Sequence, residues 1–124
     1  MKTANRDARQ HVLYLHPFEG NNLHAEYFCV NPKSALEGIM GDSGYVVYSY
    51  GDHWPLFIAM TLVPYGPDVW FENKDRHSVT TSKHRSQTHP HQPTTLLSTE
   101  HMLLLRRKGY RALVAARVIE GVAL

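Results

Sequence analysis

The chain has 124 residues, enough for one domain with a single core and too few for a second. A hydrophobic share of 43% excludes wholesale disorder, and a lone cysteine, Cys29, excludes an intrachain disulfide framework. Net charge is only +2, yet residues 1–72 carry four cations against eight acids and residues 73–124 carry nine against three. The basic second half points to an anionic partner, either nucleic acid or an acidic protein surface; otherwise it is a dipolar surface that aids solubility. The polar start MKTANRDARQ is unlike a signal peptide, and the longest uncharged run, His53–Pro67, is too short and proline-broken to cross a bilayer. The expectation is a single domain over residues 1–124, cytoplasmic in its host cell and without membrane contact.

In chain order, HVLYLHPF (His11–Phe18) alternates weakly, as a short strand would. EYFCV (Glu26–Val30) is aromatic and β-branched, a better strand, and within it Cys29 reads as a buried, inert thiol. NPKSALEGIMGDSG (Asn31–Gly44) reads as a turn, a short helix and a loop, with Pro32 early and Gly38, Gly41 and Gly44 limiting the helix. GYVVYSYG puts Val46, Tyr48 and Tyr50 on one face and Tyr45, Val47 and Ser49 on the other. WPLFIAMTLVP (Trp54–Pro64) is apolar on both faces, which predicts a strand at the centre of a sheet. DVWFEN supplies a third strand, Asp68–Glu72. The short, turn-rich links Gly51–Trp54 and Tyr65–Pro67 predict antiparallel hairpins.

Beyond Asn73 the pattern lapses. HSVTTSKHRSQTHPH (His77–His91) has four histidines, six hydroxyls and two cations, but no carboxylate and one aliphatic residue. It reads as an irregular loop, with a brief extended stretch at Ser78–Thr81 and with Pro90 and Pro93 opposing any long element. LSTEHMLLLRRKGYRALVAARVIEG (Leu97–Gly121) is helical in period, with Met102, Leu105, Gly109, Ala112, Ala116 and Ile119 on one face. Ser98 or Thr99 serves as N-cap, and Glu100 faces the positive end of the helix dipole. Gly109 costs about 1 kcal/mol relative to Ala inside a helix. Three readings follow: one long helix, two short helices, or a helix and a strand at Tyr110–Ile119. The fold class is α+β, a three-stranded or larger antiparallel meander packed against a C-terminal helix or helix pair.

Three chemistries compete for the histidine-rich stretch. His84, His89 and His91 are spaced H-x4-H-x-H, with Asp75 and His77 upstream, and imidazoles are good zinc ligands. That spacing matches no established zinc motif, so neither a metal nor another cofactor is expected. Nucleophilic catalysis lacks a G-x-S-x-G elbow; Ser78 and Ser82 have His and Lys neighbours only in sequence, and Asp52 with His53 is an acid–base pair only by adjacency. The chain is not expected to be an enzyme. Phosphate contact fits better, since hydroxyls donate to phosphate oxygens while Arg76, Lys83 and Arg85 supply charge. A second cationic cluster, Arg106, Arg107, Lys108 and Arg111, lies in the helical segment. If the loop folds beside that helix one basic surface forms, with Trp54, Trp70 or Phe71 as a stacking face. Against this, strand aromatics are more often core, basic helix faces are more often simply solvated, and no named nucleic-acid motif is present.

The text YSYG-x-H-x-P (Tyr48–Gly51, His53, Pro55), then Asn73, Arg76 and SVTTSKH (Ser78–His84), resembles a pattern in small uncharacterised proteins of phages, plasmids and other mobile elements. The resemblance covers roughly residues 45–86; after Ser86 this chain has Gln-Thr-His-Pro-His where helix-forming residues would be expected. It implies a context, not an activity: accessory proteins of this size often bind and block host transcription or host defence, CRISPR effectors among them. The expectation is a stoichiometric inhibitor of host defence, with a host protein or a CRISPR effector complex as partner. A small accessory protein that binds DNA or RNA comes second, and a metal-dependent or other enzyme third. The expected binding surface joins Asp52, His53 and Trp54 of the first turn to Arg76, Ser78, Thr80, Thr81, Ser82, Lys83, His84 and Arg85, with Arg107 and Arg111 from the helix. In a meander the first turn and the end of the third strand lie at the same end of the sheet. Trp54 is then either an aromatic anchor or a core residue.

Overall fold

A computed structural model describes residues 3–30, 43–51, 54–62, 68–75 and 79–119, with only the backbone at Val79. Among these residues six strands form one sheet in sequential order: β1 (Phe18–Glu19), β2 (Leu23–Cys29), β3 (Ser43–Ser49), β4 (Pro55–Thr61), β5 (Asp68–Asn73) and β6 (Thr94–Leu97). The first five run antiparallel to their neighbours, while β6 is parallel to β5. The helices are α1 (Ala8–Leu13, after a 3-10 turn at Asn5–Asp7), α2 (Val79–Thr88), α3 (Thr99–Lys108) and α4 (Tyr110–Ala115). The α+β class and the antiparallel meander with a C-terminal helix pair are therefore present.

Strand β4 organises the molecule. Leu56, Phe57, Ile58, Ala59 and Met60 are all buried, as expected for a strand covered on both faces. One face carries Phe28, Val46, Tyr48, Ile58, Met60 and Phe71, capped by Met102 and Leu105 of α3 and by Tyr110 and Leu113 of α4. The other carries Leu23, Ala25, Tyr45, Val47, Phe57 and Trp70 against Ala8 and Val12 of α1. The β3–β4 register slips from Val47↔Phe57 to Tyr48↔Pro55, leaving Leu56 as an extra residue. Such a bulge explains why Leu56 and its neighbour Phe57 join the same core. Each fully buried large side chain contributes about 1.5–3 kcal/mol, so a strand apolar on both faces ties two cores together.

Helix α2 lies on the α1 side. His84 meets Ser49, the His89 ring stands edge-on to Phe57 at 5.4 Å, and Arg9 of α1 donates to the Ser86 carbonyl. It is the crossover that the parallel β5–β6 pair requires.

Several expectations change. His11–Phe18 is not a strand: Ala8 and Val12, one helical turn apart, are buried in α1, and only Phe18–Glu19 is extended. Cys29 is exposed because it shares a strand face with Tyr27, which is 60% exposed. The stretch read as loop, with an extended Ser78–Thr81, becomes α2, and β6 follows it. The reason is chemical: α2 buries Thr81, His84 and Thr88, a stripe at helical spacing that contains no aliphatic residue. The helix expected between Asn31 and Gly44 falls almost wholly on residues 31–42, outside the described residues.

Of the C-terminal alternatives, the helix pair is realised. Ser98 is the N-cap of α3, its hydroxyl accepting the His101 N–H at 3.2 Å, and α3 ends at Gly109. Gly109 adopts φ 87°, ψ 177°, a conformation open essentially only to glycine. Within one continuous helix Gly109→Ala would stabilise by about 1 kcal/mol. At this kink it is expected to destabilise by about 1–3 kcal/mol in urea unfolding, and a gain in stability would contradict the break.

Candidate functional site

Of the residues quoted for the mobile-element resemblance, the described Ser49, Tyr50, Pro55, Asn73 and His84 lie where β3 ends, β4 begins and β5 ends. The β3–β4 hairpin is closed by the Ser49 N–H donating to the Trp54 carbonyl at 3.0 Å. Tyr50 and Gly51 turn the chain with φ 58° and 80°, both left-handed. Glycine adopts this freely, whereas a tyrosine there costs about 1–2 kcal/mol, which its surroundings must offset. Its N–H donates to the Asn22 carbonyl at 2.9 Å, and its ring lies 5.6 Å from that of His84.

Beneath the turn runs a buried polar seam. Ser49 Oγ and His84 Nδ1 are 2.7 Å apart; Ser49 is wholly buried and His84 is 4% exposed. Burial first, then the Lys83 ammonium, holds the His84 imidazole below its ordinary pKa. Further along, the Asn73 amide donates to the Pro55 carbonyl and to the Thr99 hydroxyl, both at 2.9 Å, and accepts the Asp75 N–H at 2.8 Å. Asp75 in turn accepts the Thr99 N–H at 2.7 Å. That bond, then the Thr99 hydroxyl, with smaller help from Lys74 and Arg85, keeps its carboxyl below the usual carboxylate range.

A second group gathers on Glu72, whose side chain is 12% exposed. Its carboxylate accepts from Thr94 Oγ1 at 2.8 Å, and lies 3.4 Å from His89 Nε2 and 3.8 Å from Arg85 Nη1. Arg85 also donates to the Asp75 carbonyl at 2.8 Å. This carboxylate therefore ties β5 to α2, to the segment after it and to β6.

A serine 2.7 Å from an imidazole has the spacing of a nucleophile and its base. A nucleophile must reach its substrate, however, and Ser49 presents no surface. The pair instead joins α2 to the sheet. The positions singled out from the sequence separate accordingly. Thr81 and His84 face inward, Arg85 is spent on Glu72 and Asp75, Ser82 is half-buried, and Thr80 and Lys83 are exposed. Trp54 is half-buried against the α1-side core. Asp52, His53, Arg76 and Ser78 lie outside the described residues.

Arg107 and Arg111 are exposed, but on helices covering the opposite face of the sheet from α2. The described part of the histidine-rich stretch, residues 79–91, thus does not fold beside the cationic helix, and its cations lie on a different layer from those of α3 and α4. His84, His89 and His91 form no metal-holding group: among the described residues no three His, Cys, Asp or Glu side chains are so placed. His84 is turned to Ser49, while the His89 ring lies beside Phe57 and Glu72 and 5.8 Å from that of His91.

Glu72, Thr94 and the Asp75–Thr99 contact were not singled out from the sequence. The strand alternation did place Ser49 on the apolar Tyr45–Val47 face, and a polar residue there needs a buried partner. No family model matches the chain, and neither a curated protein nor a solved structure matches it. Among the described residues no helix is long and apolar enough to cross a membrane.

The depressed pKa of His84 gives a signed prediction. Below its unfolded value of 6.5 the unfolded chain takes up a proton that the folded chain refuses. The contribution is fully present above that pH and is lost as pH falls from 6.5 toward the lower folded value. The wild-type melting temperature should fall on acidification, and His84→Gln should be less stable at neutral pH with a flatter dependence across that window. An unchanged slope in the variant would remove His84 from the acid response.

Proposed function

We propose that the chain is a mobile-element accessory protein that works by binding a macromolecule, most concretely as a stoichiometric inhibitor of a host-defence nucleoprotein such as a CRISPR effector complex. The observation that carries the binding reading is the cationic ridge on α3 and α4. Arg106 is engaged internally, donating to the Tyr48 hydroxyl at 3.1 Å with its guanidinium 4.8 Å from the Phe28 ring centroid. Arg107, Lys108 and Arg111 are exposed on the outside of the same helices. A ridge of this kind on a rigid two-faced sheet suits an acidic protein surface or an exposed nucleic-acid strand. The mobile-element resemblance favours a defence complex as the source of that surface. The spending of Ser49, His84, Asn73 and Arg85 on internal contacts favours a scaffold over a reaction centre.

A second reading, a small DNA- or RNA-binding accessory protein, is favoured by the same three exposed cations. Three phosphates neutralised would give a salt slope of about −2.7, so affinity for duplex DNA would fall about 40-fold between 50 and 200 mM salt.

The deciding experiment combines plaque formation or plasmid transformation in cells carrying each CRISPR subtype with pull-down of the effector. Inhibition is expected near one protein per effector, and Arg107→Glu with Arg111→Glu is expected to abolish it while leaving the melt unchanged. No protection against any subtype, with no effector bound, sinks the inhibitor reading. A salt slope of about −2.7 on duplex DNA, reduced by about two in the same variant, would then establish the second.

A further inference from the structure

Strand β6 is last in the sheet, and among the described residues it has β5 on one side only. The Lys74 N–H donates to the Leu97 carbonyl at 2.8 Å, which fixes the phase of the parallel ladder. Leu97 and Thr95 therefore turn their N–H and C=O groups toward β5, and Leu96 turns its own toward the open edge. The Leu96 side chain is 58% exposed and Thr95 is exposed beside it. Native edges are ordinarily blunted by a lysine, a proline or a bulge, and the four residues of β6 contain none of these.

Beside this edge lies a groove of about 440 Å³ between β6 and the end of α4, lined by Lys74, residues 95–98, His101 and residues 116–119. Its apolar wall is Leu97 with Val118 and Ile119, which pack against the α3–α4 core. Its rim carries Lys74 and Arg117, both exposed, and among the described residues no carboxylate lines it. Asp75, next to Lys74 in sequence, is engaged by the Thr99 N–H.

The position of Arg117 is built. The Val118 N–H donates to the Leu113 carbonyl and the Arg117 N–H to the Val114 carbonyl, each at 3.0 Å, the paired bonds of a Schellman helix end. The residue at the left-handed corner of that motif is usually glycine; here it is Arg117, with φ 58°. A cation is thus held over the groove at a backbone position that disfavours it by about 1–2 kcal/mol.

We propose that the β6 edge and this groove dock an extended, acidic and aliphatic segment of a partner protein, added to the sheet as a seventh strand. Its backbone would pair with the N–H and C=O of Leu96, and alternate side chains would face opposite sides of the sheet. Aliphatic residues on one side meet Leu96, while carboxylates on the other meet Lys74 and Arg117 at the rim of the groove. Charge complementarity selects this occupant over a second copy, which would bring two further cations, its own Lys74 and Arg117, to the shared edge. The inference does not depend on what the α3–α4 ridge binds.

The test uses the full isotopically labelled chain with a short peptide alternating aspartate and valine, and a lysine–valine peptide as control. The acidic peptide should shift the Thr95–Ser98 amides, slow hydrogen exchange at the Leu96 N–H and bind at least about tenfold more tightly than the control. Lys74→Glu with Arg117→Glu should reverse that preference. Arg117→Gly, which the left-handed corner accommodates, should hold or raise the melting temperature while weakening the acidic peptide. Equal binding of the two peptides, no protection at Leu96, or an unreversed preference overturns the proposal. Concentration-dependent self-association through the same amides overturns it in favour of a second copy.

Discussion

The hydrogen bond between Ser49 and His84 decides how the α1-side layer is built. Helix α2 has a single aliphatic residue and so no aliphatic stripe to drive it onto the sheet; among its described side chains it buries Thr81, His84 and Thr88. Burying hydroxyls and an imidazole is unfavourable unless each finds a partner, and an unmet one costs about 1–3 kcal/mol. Partners exist because Ser49 ends β3 with its side chain on the same face as Val47, and because the Thr88 hydroxyl folds back onto the His84 carbonyl at 2.8 Å. The packing of α2 is therefore specific in position. A slide of one turn along the sheet would leave Ser49 and His84 both unpaired, whereas a greasy helix could slide with little loss.

Asn73 plays the corresponding part for the chain path. It is fully buried at the end of β5, where the polypeptide leaves the sheet for the crossover. Its amide holds the start of β4 through Pro55, the exit turn through Asp75 and the first residue of α3 through Thr99. The N-terminus of α3 is thereby pinned twice, by Ser98 as its cap and by Asp75 on the Thr99 N–H. Because α3 and α4 cover the opposite face from α2, the two outer layers are referred to the same corner of the sheet.

What the sequence revealed follows from which residues bury apolar surface. Strands β2 to β5 were legible because Val46, Tyr48, Ile58, Met60 and Phe71 repeat with strand period, and the two-faced β4 announced its central place. Gly109 announced the possibility of a break, and its φ of 87° settles which alternative holds. Helix α2 was illegible to hydrophobic periodicity because its inward stripe is Thr and His. Strand β6, four residues with two threonines, lies below the length at which alternation speaks. The stretch from Lys74 to Pro93 was nevertheless long enough for a crossover, and that length was the available hint of a parallel strand. The seam was half legible: a serine on an apolar strand face demands a partner, but only the fold shows that the partner lies 35 residues away.

The opposed charge of the two halves takes a different meaning once folded. Glu26, from the acidic half, lies 3.9 Å from Arg106, and Glu72 lies 3.8 Å from Arg85, so part of the asymmetry is neutralised across the sheet. These pairs differ in character. Glu26 and Arg106 are 45% and 32% exposed at the side chain, and such a pair contributes little beyond orientation. Glu72 and Arg85 are 12% and 18% exposed, where desolvation offsets much of the attraction and the gain is in fixing which groups meet. The second-half cations left over among the described residues are spread by the fold over three places. Lys83 stands on the α2 layer, Arg107, Lys108 and Arg111 on the α3–α4 layer, and Lys74 and Arg117 at the β6 edge. Since the sheet separates the first two sets, one flat anionic partner cannot engage both. A partner held by the α3–α4 ridge would therefore leave the Tyr50–His84 corner on the other layer free, and these surfaces can be altered one at a time.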